Sequence, residues 1–450
     1  MVPSYRETQI QPGLPFHGLR YTTVLTENFL VSRLPVEVLD EIFSYARTPT
    51  LARLALVCHT FQGAAVRLLY RHIPSLSLSL TTRCLETLAS NPYLAAHTRT
   101  CEIGDAALAD ASRKGLLPPS FFEQLRRALH NMHRLTELTF LLNGSTSHVL
   151  LGAPFRLTKL TASCDFDATL ASWLTEQSGL HEAVFCGNFT PGVTLSADSL
   201  PLLRRVAAAP LTLACVLPGR PIREVELCLV HPWSLNREVV QMAMRIMSFS
   251  KGPVDSLKII THLTEPSETV LSALEAIPAG LNSITKLALH AVSGSITDVR
   301  IHSLPDIYTK FMEMLMRDGW LQDILSGLPP ISAQFSGLRS LTLFSKNRSD
   351  AMHTVPDPRV LAAGWQATCA SLESVTLAGA TYVHNRGRGW VTLRDLAELL
   401  AAREQSLQQC AAEMCKHGAA LEEGRRVHEL TPTELGVGRK GGGSVVAAWA

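Results

Sequence analysis

The sequence predicts an α/β chain: three short N-terminal helices, then an irregular solenoid with parallel strands inside and helices outside. Three observations predict it. From Leu34 to Ile73, 23 of 40 residues are hydrophobic, against 46% for the whole chain, and they fall at helical spacing. After Ile73 a short apolar motif, often Leu-x-x-Leu-x-Leu, recurs with helical segments between its copies. Leucine is also over-represented, at 69 of 450 residues.

In the first predicted helix Pro35 suits the opening turn, and Glu37 favours the positive end of the dipole. At 100° per residue, Tyr45, Val38, Ile42, Ala46, Leu39, Phe43 and Val36 cover about half the circumference. Glu37, Asp40, Glu41 and Ser44 fill the other half. The second helix starts at Thr48-Pro49 with a good cap residue and a proline suited to a first turn. Leu51, Ala52, Leu54, Ala55, Leu56, Val57 and Cys58 then surround its axis, which predicts burial on every side. The third, about His59 to Ile73, places Phe61, Ala65, Leu68, Leu69 and Ile73 on one face. A 40-residue unit buries too little surface to be comfortably stable alone. The excess must therefore face the rest of the chain or another protein.

The solenoid rests on ten motif copies. The clearest are "LTELTF" at Leu135, "LTKLTA" at Leu157, "LHEAVF" at Leu180, "LRRVAA" at Leu203 and "IREVEL" at Ile222. "VDSLKI" at Val254, "ITKLAL" at Ile284, "LRSLTL" at Leu338 and "LESVTL" at Leu372 follow, with a weaker copy at "TRTCEI" around Cys101 and Ile103. From Leu138, steps between second anchors are 22, 23, 23 and 19 residues, then 32, 30, 54 and 34. The first four approximate a leucine-rich-repeat period. Alternation within each copy reads as a short strand. Helices are expected at Phe121–Asn131, Ala168–Gln177, Arg237–Ser248, Glu268–Ala276, Asp306–Leu325 and Arg359–Ala370. Such units must stack to bury their apolar faces. An ordinary parallel α/β domain is the competing reading. The longest step holds an insertion whose Met312, Met314 and Met316 add adaptable surface.

The expected organisation is a flexible leader (1–30), the three-helix module (31–75), the leucine-rich-repeat-like solenoid (76–390), a helical cap (391–435) and a disordered glycine-rich tail (436–450). Leu393, Leu396, Leu400, Leu407, Cys410 and Met414 recur at helical spacing in the cap. A net charge of +2 gives no electrostatic case for nucleic acid. No apolar run approaches the ~20 residues of a membrane span, and no signal peptide is visible. Ten cysteines without regular spacing fit reduced thiols in cytoplasm or nucleus.

No phosphate loop, dinucleotide fingerprint, H-E-x-x-H or nucleophile elbow is present. "SITK" (Ser283 to Lys286) lacks partner motifs. Cys410, Cys415 and His417 are too few for a metal site and lie on different helix faces. Asp165 and Asp167 read as a polar turn, and "HNRGRGW" (His384 to Trp390) as a solvated loop. No cofactor, metal or catalytic residue is expected.

Leu34-Pro35-x-Glu37-Val38-Leu39-x-x-Ile42-Phe43, then Leu54-x-Leu56-Val57-Cys58-x-x-Phe61, then Leu68-Leu69-Tyr70-Arg71-His72-Ile73 together resemble an F-box. "LLYRHI" is similar to the close of F-boxes abundant in filamentous and mushroom-forming fungi. Phe61 stands where many F-boxes carry tryptophan, so weaker anchoring is expected. The resemblance implies docking on a Skp adaptor and through it a cullin, with the repeat domain holding an unidentified target protein. It maps the adaptor contacts onto Leu34, Pro35, Val38, Leu39, Ile42, Phe43, Leu56, Val57, Cys58 and Phe61, some of them internal. The expected role is a non-catalytic receptor subunit of a ubiquitin ligase. The alternatives are a scaffold that degrades nothing and, more remotely, an α/β enzyme or ligand-binding protein.

Overall fold

The computed structural model describes residues 34–229, 235–261, 266–281, 283–291, 320–343, 357–377, 380–386 and 388–427. The expected leader (1–30), the tail (436–450), the methionines of the insertion and most of its helix lie outside them.

The chain opens with α1 (Val36–Ser44), α2 (Thr48–Leu54) and α3 (His59–Arg71). Leu39, Phe43, Leu51, Ala64 and Ala65 form a small core of their own. Phe61 closes it edge-on against Phe43, ring centroids 5.1 Å apart. Arg67 bridges to Asp40 at 2.8 Å and ties α3 to α1. Two boundaries differ from the sequence reading. Helix α2 stops at Leu54, with Arg47 rather than Thr48 at its cap position. The chain then turns: Leu56 N–H donates to Arg53 O (3.0 Å) and Val57 N–H to Leu54 O (3.1 Å). The second correction concerns Ile73, which belongs to a strand, not to the third helix. Pro74 follows it, and a residue before proline is pushed toward extended backbone. His72–Ile73 thus forms β1, and the end of the module is the start of the sheet.

Among the described residues that sheet has thirteen strands in strict sequence order. After β1 come β2 (Thr100–Ile103), β3 (Glu137–Gly144), β4 (Lys159–Cys164), β5 (Glu182–Phe185), β6 (Arg205–Ala208) and β7 (Glu224–Leu229). Then follow β8 (Ser256–Thr261), β9 (Lys286–Ala291), β10 (Ser340–Leu343) and β11 (Ser374–Leu377). All these pair in parallel with their neighbours. Each of the ten sequence motifs reaches into one strand from β2 to β11. Their second anchors are direct register partners. One column runs from Ile73 through Cys101, Leu138, Leu160, Ala183, Val206, Val225, Leu257, Leu287 and Leu341 to Val375. Every member is buried, in one continuous core. Burial of a leucine- or valine-sized side chain contributes ~1.5–3 kcal/mol. A strand that slipped by one residue would turn its anchor to the other face.

Helices fill the crossovers: α4 (Leu78–Ser90), α5 (Pro92–Ala95), α6 (Ala106–Arg113), α7 (Pro119–Asn131) and α8 (Ala168–Thr175). Beyond them lie α9 (Pro210–Val216), α10 (Arg237–Met247), α11 (Ser267–Gly280), α12 (Trp320–Ser332) and α13 (Pro358–Thr368). Side-chain caps start several: Asp105 accepts from Leu108 N–H (2.7 Å), Asp167 from Leu170 N–H (2.8 Å) and Asn236 from Val239 N–H (2.9 Å). The short helix α9 was hidden in an apolar run. Pro210 opens it at a position where its missing N–H costs nothing. Helix α12 buries Ile324, Leu325, Leu328 and Ile331 against the same core.

The sheet ends differently from the sequence reading. His384 to Trp390 is not a free loop. It joins β12 (Ala380–Asn385) to β13 (Gly389–Thr392), an antiparallel pair on β11. Tyr382 and Trp390 are buried there and close the core. The expected helical cap is α14 (Leu393–Val427), started by a reciprocal box between Thr392 and Asp395. It touches β12 and β13, but residues 400–413 are exposed, with Leu400 and Leu407 among them. Capping of the apolar end falls to the hairpin, because its strands continue the sheet.

Candidate functional site

Two surfaces stand out: an apolar one on the N-terminal module and a charged one on the sheet. On α1 the wide apolar arc resolves into two stripes. Leu39 and Phe43, four residues apart, point inward. Leu34, Val38 and Ile42, also four apart, point outward, and Tyr45 extends their stripe at 80% exposure. The turn after α2 adds Leu56 and Val57, at 88% and 64% exposure. Cys58 is exposed immediately before α3. Fixed backbone bonds in that turn hold Leu56 and Val57 in place, so their exposure is built in rather than a product of fraying.

The expectation that α2 is wrapped on all sides is therefore corrected. Leu51 faces the small core, while Leu56 and Val57 leave the helix and meet solvent. So many large apolar residues exposed on so small a unit exceed the singly scattered ones of an ordinary surface.

Residues 31–73 match the F-box-like family model. The module is an F-box-like domain. Such domains are typically non-catalytic and generally bind the Skp adaptor and target proteins. No curated protein matches the chain. Of the ten mapped residues, the F-box-like domain exposes Leu34, Pro35, Val38, Ile42, Leu56, Val57 and Cys58. Leu39 and Phe43 are core, and Phe61 is half-buried against Phe43. These three support the surface from beneath. Sequence reasoning placed Tyr45 and Val36 on the apolar arc but left them out of the site, although both are exposed, Val36 at the start of α1 and Tyr45 just after its end.

On the open face of the sheet, register partners Glu137, Lys159, Glu182, Arg205 and Glu224 alternate in sign. In the next column Glu226 accepts from Arg205 and from Lys258 Nζ, the latter at 3.0 Å. Burial alone would raise the Glu226 pKa. The hydrogen bonds from Arg205 and Lys258 outweigh it and hold the carboxyl below its ordinary value. A depressed folded-state pKa gives stability that is complete above the ordinary carboxylate range and lost as pH falls through the folded value. Thermal melts of wild type and Glu226→Gln should accordingly differ at neutral pH, with wild type higher. The gap should close as pH falls below ~4, the ordinary carboxylate range.

The residues tested for chemistry have structural duties. Asp167 caps α8 and accepts from Ser147 Oγ at 2.8 Å. Asp165 accepts from Asn188 Nδ2 at 3.2 Å. Ser283 Oγ donates to Val254 O at 3.0 Å. Burial pushes the Cys164 thiol up to about 12 and raises those of Cys101 and Cys228, which leaves them protonated and unreactive. Among the described residues no group of three His, Cys, Asp or Glu side chains is arranged to hold a metal.

Proposed function

We propose that the chain is a substrate receptor of a Skp–cullin–F-box type ubiquitin ligase, working in cytoplasm or nucleus. The observation that carries this reading is the exposed apolar surface of Leu34, Val38, Ile42, Leu56 and Val57 on a domain matching the F-box-like model. Burying it against the adaptor would supply the association energy, and Leu39, Phe43 and Phe61 would hold it in shape. The sequential parallel sheet is read as a leucine-rich-repeat-like solenoid whose open, mixed-charge face holds the target protein. The chain itself performs no bond chemistry. It brings a target to the conjugating enzyme at high effective concentration.

Co-purification with the Skp adaptor tests the reading. Replacing Leu34 and Pro35 together by alanine should weaken adaptor binding by ~1–3 kcal/mol for each anchor lost. Undiminished binding by the double variant would refute the mapping. Target accumulation after removal of the protein separates a degradative receptor from a scaffold.

A further inference from the structure

At the seam between the F-box-like domain and the first strands lies a crevice of about 220 Å³, lined by Asp40, Arg67, Arg71, His97, Arg99 and Arg134. These residues come from separate places in the chain. Asp40 is on α1, Arg67 and Arg71 are on α3, Arg99 immediately precedes β2, and Arg134 lies between α7 and β3. Asp40 neutralises Arg67 at 2.8 Å. Among the described residues no carboxylate pairs with Arg71, Arg99 or Arg134. Arg99 Nη1 reaches the carbonyl of Arg134 at 3.3 Å, which keeps the two cations close. The Nε2 atom of His97, on the same wall, is buried without a hydrogen-bond partner. Burial, then Arg67 and Arg134, lowers the pKa of His97.

Three guanidinium groups without a carboxylate partner among the described residues, all exposed at the rim of this crevice, repel one another there. An anion offsets that repulsion, and guanidinium forks match phosphate oxygens in both shape and donor number. We propose that this crevice binds a small phosphate anion, as a monoester or as the free ion, that staples α3 of the F-box-like domain to the first strand entries of the sheet. The bound oxygens accept from Arg71, Arg99 and Arg134, and Asp40 remains engaged with Arg67. The orientation of the domain on the sheet then depends on the ligand. The inference does not rest on the ligase reading, since it uses only the seam between two parts of one chain.

Calorimetric titration of the full chain tests it, with inorganic phosphate, O-phosphoserine and chloride at matched ionic strength. Saturable binding of a phosphate species is expected, with none for chloride. Arg71→Gln with Arg99→Gln should weaken it at least tenfold, while Arg99→Lys, which keeps the charge, should cost less. Tighter binding of phosphoserine would identify an organic phosphate as occupant, and equal affinity would identify the free ion; both support the site. Should the double variant fail to fold, Arg134→Gln alone should produce a weakening of several-fold. Absence of saturable binding overturns the proposal, as does binding that these substitutions leave undiminished.

Discussion

Replacing Ile42 and Leu56 by aspartate should lower affinity for the Skp adaptor by about 1,000-fold, from about 2 kcal/mol lost at each position. The loss has two sources. Each substitution removes apolar surface, and each forces a carboxylate into an interface that excludes water. Ile42 and Leu56 are 52% and 88% exposed, so the free chain should barely register the change. Surface substitutions of this kind stay within about ±0.5 kcal/mol in stability. Leu39→Ala is the complementary case. It opens a cavity in the small core and should cost the domain ~2–5 kcal/mol, so that binding fails through unfolding. A titration paired with a thermal melt distinguishes the two mechanisms. Retained adaptor affinity in the folded Ile42→Asp/Leu56→Asp variant would remove the proposed surface from the mechanism.

Arg220→Met should destabilise the sheet domain by ~3–5 kcal/mol, a fall on the order of 10 °C in melting midpoint. Arg220 is fully buried. Its guanidinium donates to four backbone carbonyls: Ser199 at 2.8 Å, Val216 at 2.7 Å, Pro218 at 2.9 Å and Ser196 at 2.5 Å. These belong to the connection before β6 and to the end of α9, which the one side chain binds together. Methionine fills part of the volume but takes the guanidinium donors from the carbonyls of Ser199, Val216 and Pro218, while Ser196 O keeps the N–H of Ser199 at 3.0 Å; each buried group left unpaired costs ~1–3 kcal/mol before relaxation. Lysine should not rescue, because a point ammonium cannot span carbonyls that a planar fork reaches. A midpoint within a degree or two of wild type would show that water replaces the guanidinium without penalty.

Much of this fold is written in residue spacing. The anchor column from Cys101 to Val375 was legible because alternation and recurrence are both visible without coordinates, even where the steps between copies vary. The F-box-like domain was legible for the same kind of reason, through apolar positions three and four apart. Which half of its apolar arc would be covered was not legible. Leu39 and Ile42 have equal hydrophobicity on a helical wheel, and only the position of α3 decides that one is core and the other surface. Leu56 and Val57 were read as helix because composition continues through them. What ends α2 is a pair of turn hydrogen bonds, which carry no residue signature. Strands β12 and β13 escaped because a short hairpin rich in glycine and arginine looks like a loop until Tyr382 and Trp390 are seen in the core. Arg220 and the seam arginines escaped for a common reason. Arginine is ordinarily a surface residue, and its partners here are backbone carbonyls or residues far away in sequence.

Thiol labelling of Cys58 in the full chain, with and without purified Skp adaptor, probes the exposed apolar surface most directly. Cys58 and Cys410 are both exposed, and Cys58 adjoins Leu56 and Val57 whereas Cys410 lies on α14. Saturating adaptor should slow modification of Cys58 at least about tenfold, the protection expected of a residue desolvated at an interface core, and leave the rate at Cys410 unchanged. An unchanged Cys58 rate, under conditions where the adaptor is demonstrably bound, would contradict docking through this surface.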